Sequence, residues 1–189
     1  MADYDKYYKT EDLFGEPYPE LIRFFRMYKP KGKLIDLGCG QGRDAISLAR
    51  LGYHVTGIDN SKVGIEQLNA AAKQEGLSVT GLVGDIYSFD NYQDFDVVLL
   101  DSMFHFEKRD KEREMQFIDK IVKQLSKKAL ICVCIQDTGK KVKILKKTID
   151  NAGIEFEILN DSNFIYTFEG KESGHKSETK YCMYIVKKK

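Results

Sequence analysis

The chain has 189 residues, of which 42% are apolar and 31% are charged, and its formal net charge is +1. This length and composition fit one folded domain, residues 1–189, with a substantial core, and they exclude a disordered chain. A net charge near zero gives no overall attraction to nucleic acid or membranes, so we expect neither as a partner. Because the first residues lack a signal-peptide pattern and the longest apolar run is too short for a bilayer, we expect a cytoplasmic protein.

The cysteines and histidines do not form a metal-binding pattern. The four cysteines are Cys39, Cys132, Cys134 and Cys182; none belongs to a Cys-x-x-Cys motif, and three lie in predicted strands. The three histidines are widely spaced. We therefore expect thiols that are buried as small apolar groups, no disulfides and no metal ion.

The segment of residues 1–18 is rich in aromatic side chains that follow no clear period. Tyr7, Tyr8 and Phe14 are candidates for a lid over a ligand site, because aromatic rings attract cations and exclude water. The alternative is a segment that packs against the edge of a sheet. Beyond it, an apolar stripe predicts a helix from Pro19 to Tyr28, which ends before a proline and a glycine.

A short apolar strand, a glycine turn and a helix follow, and this arrangement is typical of nucleotide binding. The strand is Leu34–Leu37, and the helix covers Asp44–Leu51. Between them, three glycines stand at alternate positions: Gly38, Gly40 and Gly42. Glycine lets the backbone approach a ligand closely, and the helix N-terminus offers free N–H groups. The spacing departs from the dinucleotide motif G-x-G-x-x-G. Asp36, just before the turn, instead suits a ligand with a positive amino group, such as S-adenosylmethionine; a plain strand-to-helix connection is the alternative.

Carboxylates also follow the next two predicted strands. Residues 53–58 are rich in β-formers and end at Asp59, at a distance from the glycine turn that is typical of an acid holding ribose hydroxyls. Residues 78–83 form the third strand, and Asp85 and Ile86 follow it. Asp85 is a candidate acceptor for an adenine amino group, or it caps the next turn. Because ligands bind beyond the carboxyl ends of parallel strands, we expect these carboxylates along one rim.

Strands and helices continue to alternate along the rest of the chain. Further strands are predicted at Phe95–Leu100, Ala129–Ile135, Ile154–Leu159, Phe164–Phe168 and Tyr181–Val186, and further helices at Arg109–Leu125 and Gly139–Ala152. The last two strands form a hairpin with a polar connection. This order indicates an α/β fold with a doubly wound, mostly parallel sheet and an antiparallel C-terminal strand. Residues 160–180 are a candidate insertion on the substrate side.

The segment after the fourth strand carries the candidate catalytic base. His105 lies beyond the carboxyl end of that strand, and a histidine can exchange a proton near neutral pH. The alternative is a histidine that packs under the ligand or caps the next helix. His54 and His175 are predicted to lie at the surface. Arg43 is a candidate for stabilising an anionic group near the glycine turn, or it is a solvent-exposed helix residue.

Together these motifs resemble the class I S-adenosylmethionine-dependent methyltransferases. The run Asp36-Leu-Gly-Cys-Gly-Gln-Gly42, with Asp59 and Gly84-Asp85-Ile86, carries the resemblance, and the stretch from Asp36 to Asp59 is especially similar to the tellurite-resistance and related small-molecule methyltransferases. The resemblance implies a Rossmann-like seven-stranded sheet in the order 3-2-1-4-5-7-6, with helices on both faces. It also implies that S-adenosylmethionine is held by Asp36, Gly38, Cys39, Gly40, Gly42, Arg43, Asp59, Asn60, Asp85, Ile86 and Ser102.

The implied function is methyl transfer from S-adenosylmethionine to a small-molecule acceptor, with His105 as the base and Tyr7, Tyr8, Phe14 and His105 on the lid and substrate side. One alternative is an RNA or protein methyltransferase that uses the lysine-rich face at 140–147; another is a module that binds the cofactor without catalysis. The residues after the fourth strand, Asp101-Ser-Met-Phe, differ from the Asn/Asp-Pro-Pro-aromatic motif of enzymes that methylate base amino groups. The sequence leaves the acceptor and the oligomeric state open.

Overall fold

The computed structural model describes residues 4–6, 8, 13, 15–169 and 176–189. Its strands are β1 (Lys33–Leu37), β2 (His54–Asp59), β3 (Val79–Val83), β4 (Val97–Asp101), β5 (Leu130–Gln136), β6 (Phe156–Glu169) and β7 (Lys176–Lys188). Its α-helices are α1 (Pro19–Met27), α2 (Arg43–Arg50), α3 (Lys62–Glu75), α4 (Lys111–Gln124) and α5 (Lys140–Asp150). Short 3-10 turns cover Tyr4–Lys6, Ile86–Ser88 and Tyr92–Asp94.

In the described part of the chain, the strands form a sheet in the order β3-β2-β1-β4-β5-β7-β6. The strand β2 pairs in parallel with both β1 and β3. The strand β4 pairs in parallel with β5, whereas β5 and β7 run antiparallel, from Leu130 opposite Lys187 to Gln136 opposite Tyr181. The predicted Rossmann-like sheet, its strand order and its antiparallel C-terminal strand are thereby confirmed.

The chain divides into two compact units, each with buried apolar residues of its own. Unit 1 comprises Met1–Phe89 and Thr167–Ser177, and it contains β1–β3 and α1–α3. Unit 2 comprises Asp90–Tyr166 and Glu178–Lys189, and it contains β4, β5, α4 and α5. In unit 2, every residue of β5 except the last is buried, as expected for a strand that is covered on both faces. The prediction of a single domain stays a prediction.

Specific groups close the ends of two helices. The hydroxyl of Ser61 accepts a hydrogen bond from Gly64 N at 3.0 Å and so caps the N-terminus of α3. Gly76 ends the same helix with a φ of 64°. At the end of α4, the ammonium group of Lys188 donates to the carbonyl of Leu125 at 2.6 Å. A cation at a helix C-terminus complements the helix dipole.

The polar stretch of residues 160–163 lies inside a strand, which differs from the sequence prediction. We predicted two strands separated by this stretch, but β6 is continuous from Phe156 to Glu169. Polar side chains are tolerated there because β6 is an edge strand of the sheet. The side chain of Asn160 also bonds to the neighbouring strand, since its Nδ2 donates to Met183 O at 2.7 Å. The candidate insertion at 160–180 therefore begins as part of β6, and its residues 170–175 lie outside the described residues.

The four cysteines carry free thiols and are buried, as we predicted. The Cys182 thiol belongs to β7, and burial raises its pKa to about 11. Among the described residues, the helices lack the combination of length and apolar character that crossing a membrane requires.

Candidate functional site

Unit 1 holds the glycine turn between β1 and α2, and backbone hydrogen bonds fix this turn to β2. The N–H groups of Gly38 and Cys39 both donate to the carbonyl of Ile58, at 2.7 and 3.2 Å. Gly42 donates to the carbonyl of Cys39 at 2.8 Å and precedes α2 with a φ of 90°. Glycine adopts such a φ without the steric cost that a side chain imposes. Residue type and backbone bonds therefore define the shape of the turn.

Asp59, at the carboxyl end of β2, is oriented by the glycine turn. It is 8% exposed, and its Oδ2 accepts a hydrogen bond from Gly40 N at 3.0 Å. Its Oδ1 accepts from Ser61 N at 2.8 Å. Each carboxylate oxygen has two lone pairs, so each can accept a further hydrogen bond. The residue that we predicted to hold ribose hydroxyls thus has a fixed orientation and spare acceptor capacity; the ribose contact itself stays a prediction.

Asp36, the second carboxylate at the turn, is only 3% exposed. Within the described residues, its Oδ2 atom has no hydrogen-bond partner. Burial raises the pKa of Asp36 well above its usual value, and the charges of Asp44 and Asp59 raise it further against the opposing effect of Arg43. A cation that donates to Oδ2 would supply the missing hydrogen bond and reduce the repulsion. The positive amino group of S-adenosylmethionine fits this requirement.

Arg43, at the start of α2, contacts both its neighbour and an aromatic ring. Its guanidinium group lies 2.9 Å from Asp44 Oδ2 and 4.8 Å from the centre of the Tyr18 ring. An ion pair and a cation–π contact therefore hold the side chain in place. The side chain is partly buried, so the alternative of a solvent-exposed residue is wrong. Contact between Arg43 and an anionic ligand group stays a prediction.

Cys39, which we predicted to contact the cofactor, packs as an apolar group in the turn. A Cβ atom added to Gly57 of β2 would lie 2.7 Å from its Sγ. Burial raises the pKa of the Cys39 thiol well above its usual value, and the charges of Asp36 and Asp59 raise it further. A neutral thiol is a poor nucleophile. Cys39 therefore supports the turn by packing against β2, and its contact with the cofactor stays a prediction.

Tyr8, from the N-terminal segment, packs against the glycine turn. Its side chain is 4% exposed, and a Cβ atom added to Gly40 would collide with its hydroxyl group. A Cβ atom added to Gly64 of α3 would lie 2.9 Å from the carbonyl oxygen of Gly40 and 3.1 Å from Cε2 of Tyr8. Glycine at both positions therefore leaves room for the tyrosine ring.

A second contact holds the N-terminal segment at the start of α3. The Oδ1 atom of Asp5 accepts from the Ser61 hydroxyl at 2.5 Å and from Val63 N at 3.3 Å. A carboxylate at this end of a helix accepts from free N–H groups and complements the helix dipole. Asp5 and Ser61 thus cap α3 together.

Two glutamines join the same segment to the turn and to α3. Gln67 Nε2 donates to the carbonyl of Tyr8 at 2.9 Å. Gln41, within the glycine turn, accepts from Leu13 N at 3.0 Å and donates to Gln67 Oε1 at 2.8 Å. The described part of the segment therefore contacts the turn, as a lid would. The other two candidate lid residues, Tyr7 and Phe14, lie outside the described residues.

Asp85 follows β3 and caps the short turn Ile86–Ser88. Its Oδ1 accepts from Tyr87 N at 3.1 Å, and its Oδ2 accepts from the Ser88 hydroxyl at 3.3 Å. Gly84 N donates to the carbonyl of Asp59 at 2.9 Å, so the ends of β2 and β3 are adjacent. The capping alternative is thus observed, while the adenine contacts of Asp85 and Ile86 stay predictions. Asn60 is exposed beside the Ser61 cap, and its cofactor contact also stays a prediction.

Ser102 and His105 belong to the loop after β4 in unit 2, and both are exposed. Ser102 has a φ of 56°, and its hydroxyl donates to Asp101 Oδ1 at 3.0 Å. The backbone N–H of His105 donates to Oε1 of Glu114 at 3.2 Å. The roles of Ser102 in cofactor binding and of His105 in catalysis stay predictions. His54 is exposed at the start of β2, as predicted, and His175 lies outside the described residues.

Sequence reasoning missed several residues that shape these loops: Asp5, Gln41, Gly64, Gln67 and Glu114. Two of these residues could have been recognised from the sequence alone. Gly64 is a glycine inside a helix, where it lowers helix stability and so suggests a packing role. Glu114 stands at helical spacing before the buried residues Phe117 and Ile118, so an acid occupies an apolar helix face.

Residues 34–127, about half of the chain, match the family model described as a methyltransferase domain. This segment contains the glycine turn, Asp59 and the loop after β4. With the strand order and the geometry of the turn, the match identifies the class of protein. The chain belongs to the class I S-adenosylmethionine-dependent methyltransferases.

Among particular relatives, the chain is similar to TehB of Haemophilus influenzae, a probable S-adenosyl-L-methionine-dependent methyltransferase. They are 31% identical over 111 residues, which cover 56% of this chain and 38% of the relative. A 2-heptyl-1-hydroxyquinolin-4(1H)-one methyltransferase from Mycobacteroides abscessus is 32% identical over 93 residues, which cover 48% of this chain and 41% of the relative. The crystal structure of TehB from Haemophilus influenzae matches with a TM-score of 0.71 and 21% identity, over 98% of this chain and 66% of that chain. The chain thus spans less than half the length of the curated relatives that it matches.

Proposed function

We propose that this chain binds S-adenosylmethionine at the glycine turn of unit 1 and transfers its methyl group to a small-molecule acceptor. The observation that carries the proposal is the buried Asp36 carboxylate, whose Oδ2 has no partner within the described residues. A buried carboxylate without its full set of partners calls for a cationic donor. The amino group of the cofactor is such a donor.

The other residues near the turn have separate proposed roles in holding the cofactor. Asp59 accepts hydrogen bonds from the ribose hydroxyls with its spare lone pairs. Asp85 and the backbone of Ile86 flank the adenine. Tyr8 covers the turn as part of a lid. The proposed set is completed by Arg43, Asn60 and the backbone of Gly38, Gly40 and Gly42.

The chemistry is divided between cofactor and protein. When bound, the cofactor supplies a methyl group that is activated by a sulfonium leaving group. The protein aligns the acceptor and excludes water, and the burial of Tyr8 against Gly40 supports the second task. His105 is the proposed base that takes the proton of the acceptor.

A hydroxylated aromatic molecule is the acceptor class that we propose. The relative from Mycobacteroides abscessus is named for a hydroxyquinolone, which is a small molecule of this kind. A hydroxyl oxygen becomes a strong nucleophile when a base removes its proton, so this acceptor class also gives the exposed His105 a role.

Isothermal titration with S-adenosylmethionine tests the cofactor half of the proposal. We expect saturable binding to the wild type and to Asp90→Asn, a control at an exposed acid. In Asp59→Asn, the loss of a charged acceptor should weaken binding by about 2 kcal/mol, or about thirtyfold. Folded protein that gives no heat at near-millimolar cofactor would contradict the proposal. Equal affinities in the two variants would contradict the ribose assignment.

Formation of S-adenosylhomocysteine tests the acceptor. The protein is incubated with S-adenosylmethionine and an N-hydroxyquinolone or a catechol, and in parallel with RNA and with basic proteins. We expect product formation with the small acceptors. Product formation with RNA or protein alone would identify the other acceptor class, and tight cofactor binding without any turnover would indicate a non-catalytic module.

A further inference from the structure

A buried acid of α4 holds the loop that follows β4 in unit 2. Glu114 is 4% exposed and lies in the first turn of α4. Its Oε1 accepts from the backbone N–H of His105 at 3.2 Å, and its Oε2 accepts from that of Phe106 at 2.6 Å. Both carboxylate oxygens therefore bind successive peptide groups of one loop.

This loop has a backbone that its residue types do not favour. Ser102 and Phe106 have φ values of 56° and 49°, a region that L side chains rarely adopt. Such a conformation persists only where the surroundings impose it. Besides the Glu114 bonds, Ser102 N donates to the carbonyl of Cys134 at 2.9 Å, and the ring of Phe104 stacks on that of Phe106 with centroids 5.8 Å apart.

Buried and exposed side chains alternate along the loop. Phe104 and Phe106 are buried, and Phe104 also contacts the ring of Phe117 in α4, with centroids 6.4 Å apart. Ser102 and His105 are exposed. The fixed backbone thus presents polar side chains beyond the carboxyl end of β4, the end at which parallel sheets bind ligands.

Packing alone does not explain an acid at position 114. Its neighbours on the same helix face, Phe117, Ile118 and Ile121, are buried and apolar. A buried carboxylate loses its hydration, and here two charge-assisted hydrogen bonds from peptide groups offset that loss. An apolar side chain would fill the space without needing these bonds. The specific contribution of the carboxylate is therefore the orientation of the peptides of His105 and Phe106.

We propose that Glu114 is a positioning residue for methyl transfer, because it fixes the loop so that His105 is presented to the acceptor. The effect of Glu114 on methyl transfer rests on the proposed function, whereas the ordering of the loop by Glu114 does not. The test therefore measures the two separately.

The test compares Glu114→Gln with Glu112→Gln, a control at an exposed acid in the same helix turn. Glutamine keeps the shape of the side chain but places an NH₂ group against a peptide N–H. We expect the amides of residues 103–106 to exchange hydrogen about tenfold faster, as for the loss of one hydrogen bond. The Kd for S-adenosylmethionine should stay within about twofold, while kcat with a hydroxylated acceptor falls about tenfold at an unchanged KM for the cofactor. The control should match the wild type in every measurement.

Several outcomes would overturn the proposal. Unchanged hydrogen exchange in the loop would show that Glu114 does not order it, and faster exchange without a fall in kcat would show that its order does not serve catalysis. A parallel fall in thermal stability, cofactor affinity and kcat would indicate a merely structural role. If Glu114→Gln does not fold, Glu114→Asp, which shortens the reach by one methylene, should give the same expected result. If the wild type methylates no acceptor, the proposed function fails, and hydrogen exchange still decides whether Glu114 orders the loop.

Discussion

Two loops that follow parallel strands, one in each unit, obtain their shapes in different ways. The glycine turn after β1 has positive φ at Gly38, Gly40 and Gly42, where the residue type permits it. The loop after β4 has positive φ at Ser102 and Phe106, where surrounding contacts must impose it. The first shape is encoded locally, and the second depends on a residue in the next helix. A change of residue type should therefore damage the first loop, and the loss of a partner should damage the second.

The largest effect is expected from Gly42→Ala. At a φ of 90°, the new Cβ atom would also collide with Cδ1 of Leu68. Left-handed strain and overpacking each cost about 1–3 kcal/mol, so we expect the free energy of unfolding to fall by about 3 kcal/mol and cofactor binding to be lost. Urea denaturation and calorimetry measure the two quantities.

The matched control for this change is Gly76→Ala. Gly76 has a φ of 64°, and among the described residues, apart from Gly76 and its two chain neighbours, no heavy atom lies within 4 Å of its added Cβ. Only the backbone cost of about 1 kcal/mol should remain, and cofactor binding should be unchanged. Equal losses of stability in Gly42→Ala and Gly76→Ala would show that packing around the turn does not constrain it.

Gly57→Ala tests the contact between the turn and β2, with a smaller expected effect. The added Cβ would lie 2.7 Å from Cys39 Sγ and 3.0 Å from Leu68 Cδ2. We expect about 2 kcal/mol of destabilisation from overpacking, measured by urea denaturation. Adding Cys39→Ala should recover about 1 kcal/mol, because it removes the nearer atom. If the destabilisation of the double variant equals the sum of the two single destabilisations, the contact between Gly57 and Cys39 is contradicted.

The smallest effect is expected from Asp5→Ala, which removes a cap from α3. Loss of the bonds from Ser61 and Val63 should lower the free energy of unfolding by about 1 kcal/mol. It should also weaken cofactor binding severalfold, because Tyr8 would cover the glycine turn less of the time. Glu66→Ala changes an exposed acid of the same helix and is the control for both measurements. Unchanged cofactor affinity in Asp5→Ala would argue against a lid.

The fold and the glycine turn could be predicted because their signals are local. Alternation of strands and helices gave the mostly parallel sheet, and the family resemblance gave the strand order that the structure confirms. The glycine spacing, with Asp36 and Asp59 at strand ends, located two carboxylates that are adjacent enough to influence one another. The glycines and carboxylates needed only short stretches of sequence, whereas the strand order needed the resemblance to a family.

The rest depended on contacts between distant parts of the chain. The polar residues 160–163 suggested a break, but pairing with β7 keeps them in a strand. The aromatic segment gave no period, and its docking depends on the space beside Gly40 and Gly64. Gly64, a glycine inside a helix, and Glu114, an acid on an apolar helix face, left local traces of their contacts, but neither trace reveals the partner.

The central claim is that Asp36 provides the negative charge for the amino group of the cofactor. Burial, then Asp44 and Asp59, raise the pKa of Asp36 in the folded protein. At any pH below the pKa that Asp36 has in the unfolded chain, its protonated form therefore contributes its full stability to the fold. This contribution is lost as the pH rises through the higher pKa that Asp36 has in the folded protein. A bound cation favours the ionised form, so binding should release a proton. Asp36→Asn, which cannot ionise, should be at least as stable as the wild type at neutral pH.

The most direct test is calorimetric titration with S-adenosylmethionine between about pH 5 and 7, where an α-amino group keeps its charge. For the wild type, we expect the affinity to rise with pH and the heat to depend on the buffer, because a proton is released. Asp36→Asn should bind about tenfold more weakly or worse, and it should lack this part of the pH dependence. The two proteins differ only at position 36, so the difference between their pH dependences reports on Asp36. Equal affinity and the same pH dependence in the two proteins would contradict the central claim.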